Sequence, residues 1–334
     1  MRFWGWVCLV LSFVAVGCGR SPDVNSSGVA TFLVPKLDSD REEFLHRFPL
    51  LNDAEEMSAP RDPQTGKAPF GVLIHMPKLG EGMFCSVAHV SPGRVTANAH
   101  CIKKDSSPSE YFLVFYNKRN WKRFERIQAF VYIGDAESDD IAVLQVSQSV
   151  ARNWDTIEGR VVRSQREIDQ PVAQSHQVTL WSFNPFGGNH PELEQKYQGP
   201  GMRFMPKHCN ASRTKPSVTG LAIDEMGVTV NKVKINHSKP QSQMHWFVDA
   251  CDNRPVKGNS GSLITLRDDI SRVVGAYHWN IPPSPEYRGQ FNRFEYTGND
   301  GALTVLGWED FEKRDMFGVA IDFEYILGQH PRIF

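Results

Sequence analysis

The chain has 334 residues, of which 40% are hydrophobic and 22% are charged. This composition is typical of a globular protein and excludes a disordered, collagen-like or coiled-coil chain. The 37 Lys and Arg residues nearly balance the 38 Asp and Glu residues, and the net charge is −1. That balance gives no electrostatic reason to expect binding to nucleic acid or to a membrane surface.

Residues 1–17 are predicted to be a signal peptide. Arg2 gives a short positive start, residues 3–16 are almost wholly apolar, and the small Ala15 and Gly17 precede Cys18. A run this short does not span a bilayer, and small residues at its end favour cleavage. The segment also resembles a bacterial lipoprotein box, although Ala15 stands where Leu is usual. We expect export with a lipid on Cys18 as the sole membrane attachment, and a secreted chain without an anchor is the alternative.

The cysteine count agrees with export. Signal cleavage removes Cys8 and lipidation modifies Cys18, which leaves an even number in a chain sent to an oxidising compartment. The remaining cysteines are Cys85, Cys101, Cys209 and Cys251.

Residues 18–66 are predicted to form a tether or a pro-segment, because they are rich in Ser, Asp, Glu and Pro. Phe44, Phe48 and Leu51 indicate one helical stripe, which Pro49 interrupts. We therefore expect at most one short docked helix in this segment.

From residue 67 onward the chain has many short β-rich runs separated by turn residues, which is typical of an all-β sandwich or barrel. The stretch 184–226 is long, polar and irregular, and we expect a large surface insertion there. The predicted strands are Val72–Met76, Met83–Val90, Tyr111–Tyr116, Phe130–Ile133, Ile141–Val146, Gln177–Phe183, Gly227–Val233, Ser262–Thr265 and Arg272–Trp279.

Three short stretches carry residue types that catalysis uses. Residues 95–101 read Val-Thr-Ala-Asn-Ala-His-Cys, residues 139–144 read Asp-Asp-Ile-Ala-Val-Leu, and residues 258–262 read Gly-Asn-Ser-Gly-Ser. A serine hydroxyl is a weak nucleophile unless a base removes its proton and preorganised donors stabilise the oxyanion. Gly258 allows the backbone to turn, so that its own N–H and that of Ser260 can point at one spot.

Two neighbouring carboxylates compete for the role of the group that orients the imidazole of His100. Asp140 directly precedes an apolar run, so its carboxylate is held at the mouth of a buried strand, where such a group is needed. Asp139 would face the opposite way in a strand. Asp140 is therefore the preferred candidate.

The order His, Asp, Ser, each in its own motif, resembles the trypsin/chymotrypsin-like serine proteases. The motifs of that family are Thr-Ala-Ala-His-Cys, Asp-Ile-Ala-Leu-Leu and Gly-Asp-Ser-Gly-Gly. The sequence is most similar to the bacterial, glutamyl-endopeptidase-like branch, and the resemblance covers residues 67–334. It implies an all-β fold of two antiparallel six-stranded Greek-key β-barrels with the active site in the cleft between them. The first barrel would span about residues 67–150 and the second about 170–334.

The resemblance also implies a mechanism. Ser260 would attack the scissile carbonyl, His100 would transfer the proton, Asp140 would orient His100, and the Gly258 and Ser260 N–H groups would hold the oxyanion. The substrate would be a protein or peptide, no metal or cofactor is implied, and we expect a monomer. A catalytically silent surface protein that binds a partner is the alternative, and an esterase using the same triad is a third reading.

The same resemblance implies two disulfides. Cys85 and Cys101 have the family's spacing of sixteen residues between a cysteine on an early strand and the cysteine after the histidine. Cys209 and Cys251 would form the second bridge. Asn259 departs from the family, because digestive members carry there an aspartate that pairs with a newly cut N-terminus. An amide cannot form that ion pair, so we expect no activation by it, although removal of residues 19–66 could still regulate access.

The substrate pocket is predicted from three residues. Arg254 lies six residues before Ser260, where a trypsin-like pocket has an aspartate. Tyr277 and His278 lie in a run that resembles the strand lining the family's primary pocket, but an extra residue leaves the orientation of His278 open. Basic groups would favour an acidic side chain before the cut. The alternative is that Arg254 and Lys257 are solvated loop charges.

Overall fold

A computed structural model describes the chain in a series of segments. Residues 1–17, Cys18 and Arg254 lie outside them. The described segments are residues 30–52, 68–78, 80–115, 124–135, 139–147, 154–161, 176–186, 195–196, 200–212, 217–223, 229–235, 245–249, 251–252, 255–281, 293–297, 303–307 and 317–331.

These segments contain two longer helices, α1 (Asp38–Arg47) and α2 (Phe323–Gln329), and are otherwise mostly β. No helix among the described residues is long and apolar enough to cross a membrane. The strands are β1 (Ala30–Leu33), β2 (Leu50–Asn52), β3 (Phe70–His75), β4 (Glu81–Ser91), β5 (Arg94–Ala97), β6 (Tyr111–Phe115), β7 (Phe124–Arg126), β8 (Ala129–Ile133), β9 (Ala142–Gln145), β10 (His176–Trp181), β11 (Phe183–Phe186), β12 (Gly201–Phe204), β13 (Lys207–Ser212), β14 (Ser217–Ile223), β15 (Thr229–Ile235), β16 (His245–Asp249), β17 (Leu263–Leu266), β18 (Val273–Ile281), β19 (Arg293–Thr297), β20 (Leu303–Gly307) and β21 (Phe317–Asp322).

The first half is a curled antiparallel sheet with the order β7-β6-β3-β4-β5-β9-β8, to which β1 is added through β4. Only Ile127 and Gln128 separate β7 from β8. The Ile127 N–H donates to the Tyr111 carbonyl at 3.0 Å, and the Gln128 N–H donates to the Gln145 carbonyl at 2.9 Å, so this link joins the two ends of the curled sheet. The sheet therefore has eight strands rather than the predicted six, because β1 is added and β7 and β8 are separate strands.

The second half contains a closed barrel of six strands, in the order β10-β13-β16-β21-β18-β17. The other described strands form a four-stranded sheet, β15-β14-β19-β20, and a three-stranded sheet, β11-β12-β2. The predicted surface insertion at 184–226 is wrong over residues 207–212, because β13 pairs with both β10 and β16 as a barrel strand. Polar residues in β13 concealed it from hydrophobic patterning.

The N-terminal segment packs on this body over residues 30–52. Strand β1 pairs with β4, and β2 pairs in parallel with β12. Helix α1 connects β1 to β2 in the chain. The Phe32 ring stacks on Phe84 and Phe44, with centroids 4.4 and 5.2 Å away. The segment 30–52 is thus part of the folded domain. It contributes two paired strands as well as the one docked helix that the sequence predicted.

The buried apolar side chains form three clusters, one inside the curled sheet, one inside the barrel and a third between them. The third is rich in aromatic rings. Phe70 of β3 is fully buried and stacks on Trp181 and Phe204 of the second half, with centroids 6.0 and 5.5 Å away. These rings hold the two halves together. Disulfides join Cys85 to Cys101 and Cys209 to Cys251.

The substitution Phe70→Ala tests this interface. Removing a buried phenylalanine costs about 3–5 kcal/mol, because the rings around it lose contacts and a cavity remains. We expect a loss of that size in the free energy of unfolding measured with urea. Val131→Ala on β8 is the control, since that side chain is 41% exposed. A loss below about 1 kcal/mol for Phe70→Ala would contradict the assignment, since it would match an ordinary surface change.

Candidate active site

The loop that follows β5 and the loop that leads into β9 bring His100 and Asp140 together. His100 lies in the 3₁₀ turn Ala99–Cys101, which follows β5, and Asp140 stands just before β9. These strands pair in register, with Ala97 opposite Ala142. The Asp140 carbonyl accepts hydrogen bonds from the Ala99 N–H at 3.0 Å and the Asn98 side chain at 3.1 Å. The two loops are therefore locked to each other.

The Asp140 carboxylate is fully buried and holds His100 at two points. His100 Nδ1 lies 2.7 Å from Asp140 Oδ2, and the His100 backbone N–H donates to Asp140 Oδ1 at 2.8 Å. A proton on Nδ1 leaves the lone pair on Nε2, which is the tautomer that a general base needs. Among the described residues, nothing hydrogen-bonds to the buried Nε2. Asp139, the competing carboxylate, instead accepts a hydrogen bond from the Tyr132 hydroxyl.

A second imidazole, that of His278, also contacts Asp140. His278 lies on β18, and its Nε2 is 2.5 Å from Asp140 Oδ2. Its ring stacks on that of His100, with centroids 5.8 Å apart and planes 18° apart. The pairing of β18 with β21 shifts register between Tyr277 and Trp279, and such an irregularity re-aims a side chain. His278 therefore points at the carboxylate of the first half, whereas it was predicted in a substrate pocket.

The two histidines keep Asp140 ionised. Burial by itself raises the pKa of this carboxyl group, but the contacts with His278 and His100 outweigh it and lower the pKa to about 2. Burial lowers the pKa of His278, against the opposing effect of Asp140. The pKa of the buried His278 ring thus lies below the ordinary imidazole value, beside a carboxyl group whose pKa is also lowered.

Ser260 comes from the second half, and its loop is fastened to the first half. The Ser260 carbonyl accepts the Ser86 N–H at 2.8 Å, and the Ser86 hydroxyl donates to the Gly258 carbonyl at 3.1 Å. Gly261 has φ +85°, and a Cβ there would lie 2.1 Å from the Ser86 carbonyl oxygen, so this approach requires glycine. The Ser260 hydroxyl donates to the His278 carbonyl at 3.0 Å, beside the histidine pair.

The turn before Ser260 orients a backbone donor. The Asn259 N–H donates to the Val256 carbonyl at 3.0 Å, and Gly258 has φ +96°, close to the value at the third position of a type II turn. No hydrogen bond within the described part of the chain uses the Gly258 N–H. That group is available as an oxyanion donor.

A buried lysine, which the sequence analysis missed, lies under this turn. Lys207 Nζ donates to Asn184 Oδ1 at 3.0 Å, and Asn259 Nδ2 donates to the same oxygen at 3.0 Å. Burial lowers the pKa of Lys207 to about 8, although Asp252 acts in the opposite direction. Asn259 cannot form an ion pair with an N-terminus. Its side chain is held instead by Asn184, which the buried Lys207 also contacts. Lys207 lies in the stretch predicted to be a surface insertion, so nothing in the sequence indicated that its side chain would be buried near Asn259.

The predicted substrate pocket is not assembled among the described residues. Tyr277 is buried in the barrel core, His278 points at Asp140, Lys257 is exposed and Arg254 lies outside the description. His100, Asp140 and His278 offer donor atoms within 4.8 Å of one another, as metal ligands would. His100 Nδ1 is hydrogen-bonded to Asp140 Oδ2, and His278 Nε2 contacts the same oxygen, so direct contacts between the side chains account for the cluster.

No protein-family model and no curated protein matches the chain. Among solved structures it is similar to the Rv3671c protease from M. tuberculosis in its active form, with a TM-score of 0.43 and 14% identity over 86% of this chain and 89% of that one. It is also similar to HL collagenase, with a TM-score of 0.45 and 10% identity over 83% of this chain and 100% of that one.

Replacing His278 tests whether it positions Asp140. We expect His278→Ala to slow the reaction of Ser260 with a fluorophosphonate roughly 10- to 100-fold, as the loss of an orienting partner commonly does. His278→Gln, whose amide can donate to the same oxygen, should retain most of the rate.

The pH at which the protein unfolds in acid tells whether His278 stabilises the Asp140 carboxylate or only fills space. The pKa of Asp140 lies below the ordinary value of 3.8, so the stability it contributes is present above that pH and is lost as the pH falls toward 2. Without His278 the effect of burial on the pKa weighs more, and His278→Ala should unfold at a higher pH than His278→Gln. Equal labelling rates and equal acid midpoints for both variants would contradict the positioning role.

Proposed function

We propose that the protein is a serine endopeptidase of the trypsin/chymotrypsin type, which hydrolyses peptide bonds through an acyl-enzyme. One observation carries the proposal: the pair of His100 and Asp140 in the first half, with the Ser260 loop of the second half docked beside it on Ser86. A buried carboxylate, an oriented imidazole, a hydroxyl and an available backbone N–H are the parts that acyl transfer requires.

The reaction would begin with rotation of the Ser260 hydroxyl from the His278 carbonyl toward His100 Nε2. His100 accepts the proton as Ser260 Oγ attacks the peptide carbonyl, and Asp140 stabilises the charged imidazole. The N–H groups of Gly258 and Ser260 stabilise the oxyanion, and His100 then protonates the leaving amine. A water molecule, deprotonated by His100, hydrolyses the acyl-enzyme. The steps use side chains and backbone N–H groups of this chain together with the substrate and water.

A catalytically silent protein that binds a partner is the second candidate. The resting contact of Ser260 favours it, because the hydroxyl donates to His278 while His100 Nε2 has no hydrogen-bond partner within the described residues. The two candidates differ in whether that hydroxyl can be redirected to His100.

Fluorophosphonate labelling discriminates between them. We expect stoichiometric labelling of the wild-type chain and none of Ser260→Ala, since only an activated serine displaces fluoride. Ser262→Ala is the matched control, because Ser262 is also buried, lies in the same loop and should leave labelling intact. Hydrolysis of a peptide library is measured in parallel. Absence of labelling and of hydrolysis would favour the silent protein.

His278 points at Asp140 and gives no support to a preference for an acidic side chain before the cut, and Arg254 lies outside the described residues. We therefore assign no residue preference.

We further propose export to the bacterial cell envelope, with Cys18 as the lipidated first residue of the mature chain. The support is the apolar leader and the small residues before Cys18. Expressed in a bacterium, the wild-type chain should partition into detergent and carry the mass of a diacylglyceryl group, and Cys18→Ala should not. A mature wild-type chain that starts elsewhere and has no added lipid mass would establish the secreted alternative.

A further inference from the structure

The turn formed by residues 256–259 carries the proposed oxyanion donor, the Gly258 N–H, in its central peptide. Type I and type II turns differ in the orientation of that peptide. Val256 and Lys257 are exposed, whereas Asn259 is fully buried. The Val256 N–H donates to Asn259 Oδ1 at 2.8 Å, and the Val256 carbonyl accepts the Asn259 N–H at 3.0 Å. The direction of the Gly258 N–H therefore depends on how Asn259 is held.

The Asn259 amide is held in one orientation. Its Nδ2 donates to the Phe183 carbonyl at 2.8 Å and to Asn184 Oδ1 at 3.0 Å, which uses both of its hydrogens. Its Oδ1 is left to accept the Val256 N–H. A reversed amide would place its oxygen against two other oxygens. The orientation of Asn259 thus requires an oxygen of Asn184 at this place.

The Asn184 amide is oriented in turn by the buried Lys207. Lys207 Nζ donates to Asn184 Oδ1 at 3.0 Å, and Asn184 Nδ2 faces Met205 Sδ at 3.3 Å. An ammonium group has only donors, so the oxygen of Asn184 has to face it. Without Lys207 the Asn184 amide could reverse, and its Nδ2 would then oppose Asn259 Nδ2, donor against donor.

Packing alone does not account for a lysine at this position. Lys207 is fully buried at the start of β13. Burial lowers the pKa of its ammonium group to about 8, against the opposing effect of Asp252. An apolar side chain of similar length would avoid the cost of removing an ammonium group from water. The hydrogen bond to Asn184 is what an apolar side chain could not provide.

We propose that Lys207 is a positioning residue for the oxyanion hole. It orients the Asn184 amide, which orients that of Asn259, and this sets the direction of the Gly258 N–H. The inference rests on the proposed endopeptidase activity. Lys207 acts through the turn and does not contact the substrate.

Lys207→Met tests the proposal, because it removes the charge and the donor but keeps an unbranched side chain. We expect kcat for a peptide and the rate of fluorophosphonate labelling to fall at least about tenfold, as part of the roughly 100- to 1000-fold loss that removal of an oxyanion donor causes. KM should stay within about twofold of the wild-type value, since the donor acts in the transition state. The midpoint of thermal unfolding should not fall, because a buried charge is removed.

The matched control is Lys36→Met, which makes the same chemical change at an exposed position of the N-terminal segment. This variant should show wild-type values of kcat and of the labelling rate. It separates the effect of Lys207 from a general effect of removing a positive charge.

Two variants of Asn184 test the connection to the turn. Asn184→Leu removes the acceptor and should lower kcat as Lys207→Met does. Asn184→Asp keeps oxygens for both donors and should keep kcat within about threefold of the wild-type value. The double variant Lys207→Met/Asn184→Leu should be no slower than the slower single variant, because both changes interrupt one series of hydrogen bonds.

A wild-type chain that is labelled at Ser260 and hydrolyses peptides, with kcat unchanged in Lys207→Met, would overturn this inference and leave the proposed function standing. A rise in KM alone, or losses that multiply in the double variant, would also overturn it. If Lys207→Met fails to fold, equal kcat values for Asn184→Leu and Asn184→Asp would overturn it. A wild-type chain with neither labelling nor hydrolysis would overturn the proposed function together with this inference.

Discussion

A single carboxylate connects the two halves of this molecule. Asp140 is fully buried, and the imidazoles of His100 from the first half and His278 from the second half both contact its Oδ2. A buried charge is tolerated only when partners compensate for its lost hydration. These two rings, with the His100 backbone N–H, provide that compensation. Displacing either half from the other would leave the charge underpaired, so the site and the packing of the halves depend on each other.

The same cluster also holds Ser260 in its resting position. The His278 side chain contacts Asp140 while its carbonyl accepts the Ser260 hydroxyl, so one residue contacts both the carboxylate and the serine. The Ser260 loop in turn rests on Ser86, and β1 ends against Gly258 of that loop. The residues of the candidate site are thus assembled around contacts that cross between the halves and reach the N-terminal segment.

Local motifs were sufficient to indicate the residues of the candidate site. His100, Asp140 and Ser260 each stand in a short stretch whose residue types suggest a role, and the structure places these three stretches side by side. Short β-rich runs separated by turn residues also indicated a mostly β fold, because the preferences of residues for strands and turns are local signals.

What the sequence could not reveal depends on contacts between distant residues. A one-residue irregularity in β18 decides which way His278 points, and no local pattern predicts it. The docking of β1 depends on Phe84 and Phe44 meeting Phe32. Strand β13 begins with Lys207, whose ammonium group is buried and donates a hydrogen bond to Asn184. Local sequence patterns are expected to predict such positions poorly, because functional sites often depart from the usual patterns.

The most direct test of the account is a crystal structure of the protein after reaction with a fluorophosphonate. The account predicts phosphorus bonded to Ser260 Oγ, a phosphonyl oxygen within hydrogen-bond distance of the Gly258 and Ser260 N–H groups, and His100 and His278 both still on Asp140. An unmodified Ser260 whose hydroxyl remains on the His278 carbonyl, or a phosphonyl oxygen directed into solvent, would contradict it.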